Sequence, residues 1–188
     1  MNQDEQIITA PARIRGTIAV PGDKSISHRS LMFGSLAVGT SRITGILESD
    51  DIASTIFCLT LLGADIRMDG KDVLVTGKGF GGIIEPSIPL DCGNSGTTAR
   101  LLAGIISGLP FSSILTGDES LKSRPMARII DPLTRLGASI KSESSDNLLP
   151  LRISPPSDIQ DNLVIETGVA SAQVKSAILL CALSAGVS

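Results

Sequence analysis

The feature that most constrains the fold of this 188-residue chain is an internal repeat with a period near 72 residues. Three apolar segments rich in small residues resemble one another: RSLMFGSLAVGTSRITG at 29–45, RLLAGIISGLPFSSILTG at 100–117 and KSAILLCALSAG at 175–186. Arg29 and Arg100 stand 71 positions apart, and Lys175 follows Arg100 by 75. Each segment has a hydroxyl-rich lead-in, one basic residue, an apolar run at helical spacing and a glycine-bearing turn. A second element recurs between them: DIASTIFCLTLLGADI at 51–66 and MARIIDPLTRLGASI at 126–140. These read as amphipathic helices closed by a glycine C-cap and followed by a strand.

Strand patterns at 73–76 and 149–153 complete each unit. The unit is strand, helix, strand, helix, strand, strand. The expected fold class is therefore α/β (α+β), with repeated βαβαββ units that share a core. Two units fit; a third begins near Asn162 and reaches Ser188 just after its first helix. The expectation is a piece of a longer protein. Residues 1–14 read as a tail and crossover to another lobe, and residues 15–188 as one incomplete lobe.

With 42% hydrophobic and 19% charged residues the chain is globular. A net charge of −3 lacks the basic surplus of a nucleic-acid binder. The aromatics are Phe33, Phe57, Phe80 and Phe111 alone, too few for base-stacking platforms, so the core is expected to be aliphatic. Cys58, Cys92 and Cys181 are scattered and His28 is the only histidine, a poor ligand set for a metal. They read as reduced cysteines of a cytoplasmic protein. Residues 1–6 are too polar for a signal peptide, and no apolar run approaches the roughly 18 residues of a membrane span.

The segment PGDKSISHR at 21–29 places Lys24, Ser25 and Arg29 around a helix N-terminus, where unpaired N–H groups already favour anions. The repeat supplies two more such starts, at Asn94-Ser95-Gly96-Thr97 and Ser171-Ala172-Gln173. Symmetric packing would bring the three together as a multi-point site for a phosphate and a carboxylate on a small polyol. The loop GDESLKSRPM at 117–126 adds Arg124, a residue suited to holding a carboxylate bidentately. Asp50-Asp51 reads as a helix cap rather than a catalytic pair, and His28 as structural. Lys122 reads as a loop charge, with a lid role as the alternative, Lys175 as an exposed or packing-linked helix residue and Cys92 as a small strand hydrophobe.

Four motifs in order, PGDKSISHR, GNSGTTAR at 93–100, GDESLKSRPM and SAQVKSA at 171–177, resemble the EPSP synthase family. The resemblance covers residue 13 to the end and less than half of the family's usual length. It implies two similar lobes, each of three βαβαββ units, in an enzyme that acts as a monomer without a cofactor. The implied reaction transfers the enolpyruvyl group of phosphoenolpyruvate to the 5-hydroxyl of shikimate 3-phosphate and releases phosphate. Lys24 matches the catalytic lysine that contacts the anionic groups of both substrates. Ser25, Arg29, Ser171 and Gln173 match shikimate 3-phosphate binders. Gly96 and Arg124 match the phosphoenolpyruvate site, with Asn94 and Thr97 shaping its loop. Ala172 departs from the family pattern, where many members carry a second serine. Gly96 implies sensitivity of the complete enzyme to glyphosate. A related transferase acting on a UDP-amino sugar carries Lys-Asn where this chain has Lys24-Ser25. The family's acid and base carboxylates lie in the other lobe, so this chain is expected to turn over no substrate alone. A stand-alone anion-binding module and a half-enzyme completed by a separate second lobe are the alternative readings.

Overall fold

Most helices begin at a side chain that takes up an orphan backbone N–H. In the computed structural model, which describes residues 15–187 apart from 71, 145, 146 and 169, α1 spans Lys24–Leu36 and is capped by Asp23. α2 (Asp50–Leu61) is capped by Ser49 and α3 (Gly96–Ser107) by Ser95. The short α4 (Glu119–Lys122) starts at Asp118, α5 (Ala127–Leu136) has no side-chain cap, and α6 (Ala172–Ala185) starts at Ser171. The start of α2 corrects the reading of Asp50-Asp51 as the cap. Ser49 fills that role, and both aspartates sit in the first turn, where carboxylates face the positive end of the helix dipole. The expected glycine closure holds at α5, where Gly137 adopts φ 111°, a left-handed conformation that side chains resist.

The strands are β1 (Val38–Ile43), β2 (Asp65–Asp69), β3 (Asp72–Lys78), β4 (Leu90–Asp91), β5 (Ser113–Thr116), β6 (Ser139–Ser142) and β7 (Leu151–Ser154). They form two sheets, ordered β1-β3-β2 and β4-β5-β7-β6. Without β4 the two orders coincide, with β1, β3 and β2 standing for β5, β7 and β6. In both sheets these pairings are antiparallel, so the repeat seen in sequence is a repeat in topology. Helix α1 corresponds to α3, and α2 to α5.

Among the described residues only the second unit carries its expected leading strand. There β4 lies parallel to β5. The lead-ins to α1 and α6 form no strand among the described residues; Ile18, Val20 and Val164 are exposed there, and no ladder partner holds them. Strand β7 also begins later than the expected 149, after Pro150, which has no N–H to give to a ladder.

The core is aliphatic as expected: Phe33 and Phe57 are exposed, while Leu31, Met32, Leu102, Ile105, Leu115 and Leu133 are wholly buried. Helix α3 runs through its middle, with ten of its twelve residues buried. It meets α6 closely at Gly104, where a β-carbon would stand 2.3 Å from the carbonyl oxygen of Ala177. That approach places the start of α6 beside the start of α3. No helix among the described residues is long and apolar enough to cross a membrane.

Candidate functional site

The turn at 93–96 is pinned from both sides by backbone bonds. Cys92 N donates to Thr116 O at 3.0 Å, and Asp118 N donates to Gly93 O at 2.9 Å. From this turn Asn94 reaches in two directions. Its Nδ2 donates to Asp118 Oδ2 at 2.8 Å, and its Oδ1 accepts from Arg124 Nη2. Arg124 Nη1 also donates to the Asn94 carbonyl at 3.3 Å. The Asn94 amide and the Leu121 N–H hold the Asp118 carboxyl below the usual carboxylate range. Asn94 is thus the strut that aims Arg124.

Helix α6 closes the other side. Gln173 Nε2 donates to Thr97 Oγ1 at 2.9 Å, and Gln173 Oε1 accepts from Arg100 Nη1 at 3.3 Å. Between these elements lies a pocket of about 350 Å³ lined by Arg100, Arg124, Pro125, Arg128, Ser171, Gln173 and Val174. Three guanidinium groups line it and, among the described residues, no carboxylate does. Burial, then repulsion from Arg124 and Arg128, pulls Arg100 below its usual range. Clustered cations that repel one another in a half-buried cleft are relieved by an anion. Gly96 keeps the cleft open: a β-carbon there would fall 2.4 Å from Arg100 Nη1 and 3.6 Å from Arg124 Nη1.

The structure thus brings Asn94, Gly96, Thr97, Arg124, Ser171 and Gln173 together. Lys24, Ser25 and Arg29 do not line this pocket. They lie at the start of α1, joined to it through the first turn of α2. Lys24 makes an ion pair with Asp51, while Ser25 and Arg29 have no side-chain partner among the described residues. Sequence reasoning missed Arg100, Arg128 and the role of Asp51. For Arg100 a signal existed, since it holds in the second unit the place of Arg29 in the first. Lys122 is paired with Glu119 on α4 at 3.1 Å, and Lys175 is an exposed helix residue.

His28 is wholly buried and its Nδ1 lies 2.7 Å from Thr55 Oγ1. Burial pulls its pKa down from 6.5 to about 4; Asp51 opposes the shift, and Lys24 and Arg29 add to it. Between these values the unfolded chain binds the proton and the folded chain does not. The resulting stability is complete above pH 6.5 and drains away as pH falls toward 4, on the order of 3 kcal/mol in all. His28→Asn is expected to flatten the fall in urea-unfolding free energy across this window. An unchanged slope would contradict a neutral buried His28.

The sequence model of the EPSP synthase family, 3-phosphoshikimate 1-carboxyvinyltransferase, matches residues 8–187. The chain is 50% identical over 180 residues to the 3-phosphoshikimate 1-carboxyvinyltransferase of Herpetosiphon aurantiacus, covering 96% of this chain and 41% of that relative. Its identity to the protein of the same name from Geobacillus thermodenitrificans is 52% over 178 residues, with 95% and 41% covered. The solved structure of EPSP synthase from Acinetobacter baumannii superimposes with a TM-score of 0.85 at 42% identity, over 90% of this chain and 38% of that one. The chain spans about 41% of the length of such curated relatives. With the repeated topology, the four motifs and these matches in agreement, the chain belongs to the EPSP synthase family.

Proposed function

We propose that this chain is the substrate-binding part of a longer enzyme that transfers the enolpyruvyl group of phosphoenolpyruvate to shikimate 3-phosphate and releases phosphate. The observation that carries this reading is the pocket lined by the guanidinium groups of Arg100, Arg124 and Arg128 and closed by the starts of α3 and α6. In this reading Gly96 and Arg124 receive phosphoenolpyruvate, with Asn94 and Thr97 fixing the loop. Ser25, Arg29, Ser171 and Gln173 bind shikimate 3-phosphate. Lys24 exchanges Asp51 for substrate anions and serves both. Its ammonium and the guanidinium groups stabilise the charge that builds as phosphate departs.

Cations alone do not complete the reaction. Protonating the enolpyruvyl methylene and deprotonating the sugar hydroxyl require a positioned acid and base. In this reading those groups belong to a second lobe, whose closure also expels water. The exposed Leu179 and Leu183, one turn apart on α6, suit such an arrangement as surfaces for further chain. We place the complete enzyme in the cytoplasm, as a monomer without a cofactor.

The test is a chimera in which residues 8–187 replace the matching 41% of the Herpetosiphon relative. It is expected to release phosphate only when both substrates are present, while the 188-residue chain alone releases none. A folded chimera that binds neither substrate overturns the reading. Turnover by the chain alone overturns its two-lobe part.

A further inference from the structure

The core contains one continuous line of polar side chains. His28 Nδ1 lies 2.7 Å from Thr55 Oγ1, Thr55 Oγ1 lies 2.6 Å from Thr98 Oγ1, and Thr98 Oγ1 donates to Ser95 Oγ at 2.7 Å. His28, Thr55, Thr98 and Ser95 are each buried to completeness. They come from three different helices near their starts: α1, α2 and, for the last two, α3 with its cap. Burying four polar side chains is costly unless each is satisfied, and apolar residues of like volume would fill the same space without that demand. What the polar line adds is direction and position.

A single donor sequence satisfies it. With a proton on Nδ1, His28 donates to Thr55, Thr55 to Thr98 and Thr98 to Ser95. Ser95 Oγ also accepts the backbone N–H of Thr98 at 3.1 Å, which caps α3. His28 Nε2 has no hydrogen-bond partner among the described residues. In this tautomer it carries only a lone pair, whereas the opposite tautomer would strand a buried N–H. The line also touches the site twice. The carbonyl of Asp51, whose carboxylate holds Lys24, lies 3.2 Å from Thr55 Oγ1 as an alternative acceptor. Ser95 immediately precedes Gly96 and follows Asn94, the strut for Arg124.

We propose that His28, Thr55, Thr98 and Ser95 form a buried clamp that fixes the 93–96 turn, and the pocket it borders, relative to the cations of α1, with His28 as its positioning residue. His28 does not touch ligand. It acts through the hydroxyls between the two halves of the site. The clamp follows from the geometry alone, and its service to substrate binding rests on the reading of the site given above.

The experiment is amide hydrogen exchange on the 188-residue chain, with shikimate 3-phosphate affinity measured in parallel. In His28→Leu the amides of residues 96–99 are expected to exchange at least tenfold faster, while those of β6 and β7 keep their rates. His28→Asn, which keeps a donor beside Thr55, is expected to restore most of the protection. Shikimate 3-phosphate affinity should fall about tenfold in His28→Leu although the residue is inaccessible to ligand. If His28→Leu does not fold, Thr98→Val cuts the line at its middle, with Thr98→Ser as the variant that retains the hydroxyl. Unchanged exchange at 96–99 in a folded variant overturns the clamp, as does acceleration spread evenly over the whole chain. Local acceleration with unchanged affinity overturns the positioning role. If the unaltered chain binds no shikimate 3-phosphate, the substrate reading fails and with it the positioning role, while the exchange arm still decides the clamp.

Discussion

Arg124→Ala is expected to weaken phosphoenolpyruvate binding by one to two orders of magnitude, because charge-assisted hydrogen bonds to an anion are worth roughly 1.5–3 kcal/mol. Arg124 is held by Asn94 through its side chain and its carbonyl, and by Ser120 at 3.3 Å. The side chain is therefore pre-aimed, and little ordering remains for the ligand to impose. Arg124→Lys keeps the charge but cannot span both Asn94 oxygens while meeting a carboxylate, so it is expected to recover only part of the loss. Asn94→Ala should weaken binding less than Arg124→Ala, since the charge remains and only its support is removed. The midpoint of thermal unfolding should move little in either variant. Calorimetric titration checks the series; equal affinity in Arg124→Ala and the unaltered chain would remove Arg124 from the site.

The second large effect is on the fold, and through it on the same pocket. Gly104→Val is expected to destabilise the chain by at least about 3 kcal/mol, beyond the usual cost of overpacking. The atoms a side chain would meet are backbone: the carbonyl oxygen of Ala177 at 2.3 Å and its Cα at 2.8 Å. Neither helix can yield as a flexible side chain would, so α6 must move off α3. Ser171 and Gln173 then leave the pocket, and anion affinity should fall together with stability. Gly96→Ala provides the contrast. Its β-carbon meets the ends of two arginine side chains rather than backbone, so stability should hold while the guanidinium groups shift. Urea unfolding of both variants separates the two cases. A Gly104→Val protein with an unaltered midpoint would contradict the close packing of α3 on α6.

Much of this architecture was legible in the sequence because the repeat exposes it. The shared endings LGADI and LGASI mark the turn from helix to strand in both units, and the sheet orders β1-β3-β2 and β5-β7-β6 follow that repeat. The starts of α1, α3 and α6 were legible from their polar lead-ins, down to the cluster at Asn94-Ser95-Gly96-Thr97. The lead-in strands were not, because a strand exists only with a neighbour, and pattern alone does not say that β4 finds β5 while residues 15–20 find no strand partner among the described residues. The pairing of Lys24 with Asp51 was equally hidden, since it depends on how α2 docks beside α1. Asp50-Asp51 looked like a cap because its sequence position fits one, and Ser49, immediately before the pair, took that role. The buried line from His28 to Ser95 joins residues far apart in the chain, and only packing reveals that four ordinary polar residues meet.

The claim that three related helix starts serve one anion site is tested most directly by titrating the isotope-labelled 188-residue chain with shikimate 3-phosphate and following its backbone amides. The expected result is that amides at 24–29, 94–98 and 171–174 shift together along one saturation curve with one dissociation constant, and that Arg124→Ala weakens the curve for all three. Shifts confined to a single helix start, or three segments that saturate at unrelated concentrations, would contradict it.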